Sequence, residues 1–154
     1  MEFPEPTIQK CPERYVVALA RSFTMDTRHE IPALWGELWT HDFGLDGLDL
    51  QTAFGVSFDV TQQGFRYGAG YEVASPDVTP TGGCVITLAA GTYARFSARV
   101  QMAQIPQMFD WVFNTWLPGS GHTQAAGAVF EVYPNDPEAT EDRRLIEIWV
   151  PITP

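Results

Sequence analysis

Thr52-Ala53-Phe54-Gly55-Val56-Ser57-Phe58-Asp59-Val60 and Phe65-Arg66-Tyr67-Gly68-Ala69-Gly70-Tyr71-Glu72-Val73 both alternate with period two, as strands with one face in a core do. A short turn around Gln63-Gly64 joins them as a hairpin. Upstream, apolar residues recur at Ile31, Leu34, Trp35, Leu38 and Trp39, one stripe of an α-helix. A possible capping box at Thr27 and Glu30, together with Pro32 near the first turn, places the helix start between residues 28 and 32. Before that helix, Tyr15-Val16-Val17-Ala18-Leu19-Ala20 to about Phe23 reads as a strand.

Downstream, Ser75-Pro76-Asp77-Val78-Thr79-Pro80-Thr81-Gly82-Gly83 is dense in turn formers and interrupts regular pairing. The order then recurs. Strands are expected over 84–88 and 92–100, followed by a helical stripe at Ile105, Met108, Phe109, Val112, Phe113, Trp116 and Leu117 that ends before Pro118-Gly119. Two more strands are expected over 126–133 and 145–152. Two copies of strand, helix and hairpin predict an α+β fold of tandem pseudo-twofold β-α-β-β repeats, about 6–75 and about 84–152, in one domain over residues 1–154. Both helices would lie on one face of a largely antiparallel sheet. Such a duplication leaves a seam where side chains from two units converge.

Inside the strand Ala128-Val129-Phe130-Glu131-Val132-Tyr133 one acid stands among apolar neighbours. Burying a lone carboxylate is costly without a partner, so Glu131 implies solvent on one face, a nearby arginine such as Arg95 or Arg99, or a cationic ligand. The ligand is the reading that places Glu131 at the seam.

The 154 residues, 45% hydrophobic and 13% aromatic, suffice for one core and are far from a disordered composition. A net charge of −10 repels phosphate backbones, which argues against direct nucleic-acid binding. Cys11 and Cys84 match no zinc spacing or disulfide framework and are expected as buried free thiols in a reducing compartment. Met1-Glu2-Phe3-Pro4-Glu5-Pro6 does not read as a secretory signal, and no apolar run approaches a membrane span. The cytoplasm is the expected location. His29, His41 and His122 lack the spacing of a metal site, so neither metal nor cofactor is expected. Gly68-Ala69-Gly70 and Gly82-Gly83 lack the strand-to-helix context of a phosphate loop, and the acidic and basic run over 136–144 reads as a solvated turn.

Several segments in this order resemble the GyrI-like small-molecule-binding domain, also found as the effector-binding domain of AraC-type and MerR-type multidrug regulators. They are Tyr15-Val16-Val17-Ala18-Leu19, Leu34-Trp35-Gly36-Glu37-Leu38-Trp39, Phe65 to Val73, Leu88-Ala89-Ala90-Gly91-Thr92-Tyr93-Ala94, Trp116-Leu117-Pro118-Gly119-Ser120-Gly121, Phe130-Glu131-Val132-Tyr133-Pro134-Asn135-Asp136-Pro137 and Ile146-Glu147-Ile148-Trp149-Val150-Pro151-Ile152. The resemblance implies a groove between the two helices. It places the ligand-facing carboxylate at Glu131 and an aromatic partner at Tyr67. Trp39, Phe113, Trp116, Tyr133 and Trp149 are further candidates for the groove wall.

A carboxylate among aromatic faces suits a small lipophilic cation, because each ring adds roughly 0.5–2 kcal/mol of cation–π attraction. Binding, sensing or sequestration of such compounds is the expected function, with no catalysis. Two alternatives accompany it. One is a hydrolase that opens cyclopropane-type genotoxic natural products with Glu131 and Tyr67; the other is a modulator of DNA gyrase. No helix-turn-helix domain is expected beside this domain in the 154 residues, so a sensor is expected to need a separate DNA-binding regulator.

Overall fold

The hairpin around Gln63-Gly64 forms within a ten-element α+β chain. The computed structural model describes residues 3–153. Its first half holds β1 (Thr7–Cys11), β2 (Arg14–Phe23), α1 (Ile31–Trp39), β3 (Ala53–Phe58) and β4 (Phe65–Val73). Its second half holds β5 (Cys84–Leu88), β6 (Gly91–Gln101), α2 (Ile105–Trp111), β7 (Val129–Tyr133) and β8 (Arg143–Pro151). All eight strands join one antiparallel sheet in the order β1-β6-β8-β7-β3-β4-β2-β5. Read from either end, each strand is matched by the one four places away in the chain. The middle of that order is the β7·β3 pair.

β1 was not expected. Its residues Thr7-Ile8-Gln9-Lys10-Cys11 carry no apolar alternation and are exposed or half-buried, since an edge strand takes its conformation from its partner, here β6. α1 covers the apolar stripe from Ile31 to Trp39, with a 3₁₀ turn over Arg28–Glu30 before it. Thr27 does not cap that turn; its side chain exchanges hydrogen bonds with Thr24 instead. The second helix does not stop before Pro118. After α2 it widens into a π-helical segment, Val112–Trp116, and ends in a last α-turn, Leu117–Gly119. The wider π-turn relieves the clash and lost hydrogen bond that a proline brings to a regular helix.

Leu34 and Leu38 of α1, and Met108 of α2 with Val112 just after it, share one buried cluster with Leu19, Ala69, Phe96 and Ile148. Both helices therefore pack on the same face of the sheet. α1 rests on β2 and β4, while Trp111 and Trp116 meet Phe96 of β6 edge-on. Between those supports lie β8, β7 and β3, the strip where a groove between the helices was expected. The opposite face buries a second cluster around Val16, Phe54, Val56, Phe130 and Trp149. At the edge of that cluster the Arg14 guanidinium lies over Phe54, Phe130 and Trp149, 5.2–5.9 Å from each ring centre, and is held in two hydrogen bonds by Glu72.

The cysteines are free and half-buried. The expected solvated turn over 136–144 contains one anchored acid: Asp136, 1% exposed at its side chain, takes Arg99 in two hydrogen bonds and accepts the backbone N–H of Leu145.

Gly68 and Gly70 serve the packing of the sheet. A Cβ on Gly70 would run into the Val17 carbonyl of β2, and one on Gly68 would lie 2.6 Å from Ile86 Cδ1. Gly70→Ala is therefore expected to destabilise the fold by about 1–3 kcal/mol through overpacking, measured by urea denaturation. A stability equal to wild type would show that β2 and β4 have slack at this point.

Candidate functional site

Glu131 sits in the middle of β7, and its register partners are Gly55 on β3 and Ile148 on β8. Side chains across a strand pair share a face, so Phe96, Ile148, Glu131, Gly55, Ala69 and Leu19 form one row across the sheet under the helices. All the side chains of this row are apolar except that of Glu131. The acid is 7% exposed and, unlike Asp136 with its Arg99, is in no ion pair among the described residues.

Gly55 makes the arrangement possible. A Cβ there would collide with the Tyr67 hydroxyl and with Glu131 Oε1, and would lie 2.9 Å from Glu131 Cγ. Without that atom, Tyr67 reaches over β3 from β4, and its hydroxyl donates to Glu131 Oε1. Trp35 of α1 donates from Nε1 to the Tyr67 hydroxyl over 3.1 Å and meets the Tyr133 ring edge-on at 5.4 Å. Tyr133, two residues along β7 and on the same face, turns its hydroxyl toward the same carboxylate. The acid is thus enclosed by one indole and two phenols.

No cation stands beside it among the described residues. Arg95 leans toward Glu147 at 3.9 Å and Arg99 binds Asp136 at 2.7 Å, so neither arginine weighed as a partner reaches Glu131. Burial pushes the Glu131 acid from 4.5 up to about 7, against the Tyr67 and Tyr133 hydroxyls, which hold it down. The same burial, reinforced by the adjacent carboxylate, raises Tyr67 and Tyr133 well above the ordinary phenol range. Both phenols therefore act as hydrogen-bond donors.

The other sequence candidates separate. Trp39 is 56% exposed and packs on Trp35 at 5.5 Å, at the outer edge of the aromatic group. Phe113 stacks on Phe109, its ring nearly parallel. Trp116 meets Phe96 at the β6 end of the row, while its Nε1 donates to Glu5 and its ring stacks on His122 beside a cleft of about 420 Å³. Trp149 is the register partner of Phe130 and so belongs to the opposite face, packed on Phe130 and Tyr93. It does not share the face of Glu131. Trp35 and Gly55 are the site residues that sequence reasoning did not single out. An isolated glycine within a strand signals a close approach; for Trp35 the helical stripe gave only a buried face.

A two-helix, single-sheet α+β domain that encloses one acid in aromatic rings has the form of a small-molecule-binding module. Residues 4–153 match the GyrI-like small molecule binding domain, and the chain belongs to that family. A DNA gyrase inhibitor from Erwinia billingiae (strain Eb661) is 29% identical over 106 residues, which cover 69% of this chain and 59% of that protein. The match spans less than two thirds of that relative's length. A Staphylococcus aureus MU50 protein assigned to bacterial transcription regulation shares the fold with a TM-score of 0.72 and 20% identity, covering 97% of this chain and 99% of its own. A solved protein bound to tetraphenylphosphonium shares it with a TM-score of 0.70 and 20% identity, covering 97% and 94%. No described helix is long and apolar enough to cross a membrane.

The enclosure of Glu131 sets a pH dependence of stability. Its folded-state pKa, about 7, lies above the ordinary 4.5, so its contribution to stability is complete below pH 4.5 and is lost as pH rises through 7. Wild type is expected to lose about 3 kcal/mol relative to Glu131→Gln over that interval. Urea denaturation of both proteins across it is the measurement; parallel stability curves would place the carboxylate in water.

Proposed function

We propose that the chain binds small lipophilic cations, aromatic ones above all, with Glu131 as counter-ion and Trp35, Tyr67 and Tyr133 as walls. The observation that carries this reading is a buried carboxylate with aromatic neighbours and no cationic partner among the described residues. The free protein tolerates that acid by keeping it close to neutral. A guest supplies the missing charge, and cation–π contacts in a dry site strengthen its hold. The solved relative with tetraphenylphosphonium supports the choice of chemistry. In this reading the repeats, about 6–75 and about 84–152, each line one side of a single site. Because Glu131 is 7% exposed, entry requires a covering ring to move, and Trp35 with the exposed Trp39 beside it lies on the outer side. Sequestration of such compounds, or sensing on behalf of a separate regulator, is the biological role that fits.

The test is a thermal-shift series with tetraphenylphosphonium, neutral triphenylphosphine oxide and anionic tetraphenylborate. At about a hundredfold excess over Kd the cation is expected to stabilise wild type by about 2.7 kcal/mol, a rise of about 5–10 °C. The neutral compound should give little and the anion nothing, and Glu131→Gln should erase the difference between cation and neutral compound. The ionised acid is the binding form, so cation Kd in wild type should weaken toward tenfold per pH unit below about pH 7 and stay flat in the variant. Equal responses to cation and neutral compound would end the cation reading.

A second reading, hydrolytic opening of a strained ring, is favoured by one observation: an acid held near pH 7 suits proton transfer at neutral pH. Glu131 would act as general acid or base, with Tyr67 as donor. An unchanged mass of a bound cyclopropane compound after many hours would leave binding alone.

A further inference from the structure

The chain has nine basic residues against nineteen acidic ones, and five of its eight arginines pair with carboxylates among the described residues. Arg14 pairs with Glu72, Arg21 with Glu37, Arg66 with Asp59, Arg95 with Glu147, and Arg99 with Asp136 and Glu138. Arg28 and Arg143 are exposed, Arg143 donating to the Arg99 carbonyl; Arg144 is half-buried and in no ion pair among the described residues. It lies on β8 four residues before Ile148, the register partner of Glu131, and strand alternation puts it on the same face as the acid. Its guanidinium carbon stands 5.3 Å from the centre of the Tyr133 ring. Its Nε is buried without a partner, and no carboxylate among the described residues is within ion-pair distance. In a chain this acidic, a half-buried arginine parked on a ring of the binding site is not there for want of anions.

We propose that Arg144 is a specificity-determining residue of the Glu131 site, whose fixed positive charge limits the guest to a single positive charge placed at Glu131. The inference rests on the cation-binding reading and extends it to charge number. Tyr133 contacts both groups: its hydroxyl faces Glu131 and its ring carries Arg144. A guest charge at Glu131 is attracted by the acid at close range and repelled by Arg144 from one tyrosine ring away. A second guest charge gains no carboxylate and meets the same arginine. At an effective dielectric near 20, like charges about 10 Å apart cost on the order of tenfold in affinity. Arg144 also occupies one side of the Tyr133 ring and so denies it to any second cation.

Calorimetric titration of the full chain with tetraphenylphosphonium, the dication p-xylylene bis(triphenylphosphonium) and neutral triphenylphosphine oxide tests this. Arg144→Gln is expected to tighten the dication about tenfold more than the monocation and to leave the neutral compound unchanged. Arg144→Lys, which keeps the charge, should retain the wild-type ratio. A ratio that does not move in Arg144→Gln overturns the proposal, as does a lysine variant that behaves like the glutamine one. A general loss of packing would change all three ligands alike and counts against it as well. If wild type binds neither cation, the cation reading itself fails; if it binds the monocation and only the ratio is insensitive, that reading stands and the role of Arg144 falls.

Discussion

The site depends on a buried carboxylate held by the Tyr67 hydroxyl, with Tyr133 beside it, in place of a salt bridge. Two hydroxyls lower the cost of burying Glu131 without removing it, and the acid answers by holding its proton up to about pH 7. The back of the same sheet shows the alternative solution. There Glu72 has its own cation, and the Arg14 guanidinium lies over Phe54, Phe130 and Trp149. Residues 130 and 131 are neighbours in one strand, yet one faces a cation the chain provides and the other faces none. That contrast is the physical argument behind the proposed binding of a guest at the front face. In the proposed function a buried acid that titrates near neutrality gives up its proton to a cationic guest, because its ionisation and the guest's desolvation offset each other only when the two meet.

Much of the fold was legible from periodicity. The hairpin of β3 and β4, the stripe of α1 and the recurrence of the same order were all visible, because alternation and helical spacing are local properties. The oddness of Glu131 was legible for the same reason. Its surroundings were less so. Tyr67 lies 64 residues away in the chain, and it reaches the acid only because Gly55 lacks a side chain. Trp149 was a candidate for the groove wall that followed from the resemblance, but the register with Phe130 sends it to the other face. Strand register fixes which face an aromatic joins, and a single strand does not declare its register. β1 was missed because nothing in Thr7 to Cys11 alternates, and the helix extension past Pro118 because a π-segment leaves no pattern in composition.

Aromatic residues are plentiful enough here to fill two cores, which is why no single ring announced a role. The distinction lies in what each polar tip touches. Trp35 and Tyr67 spend their donors in a chain that ends on the acid, Trp116 donates to Glu5 and Trp149 to Glu147. A buried indole or phenol must place its donor somewhere, and the destination separates the site from the packing.

The strand order that reads alike from both ends carries one more consequence. Its middle is the β7·β3 pair, and the middle residues of that pair are Glu131 and Gly55. A position at the centre of a twofold arrangement has only its own counterpart opposite, so an acid on one side occupies the space of both. Glycine on the other side concedes it. In the proposed function, one acid at the centre of a strand order that reads alike from both ends sets a valency of one: a single guest per chain, with a Hill coefficient of unity.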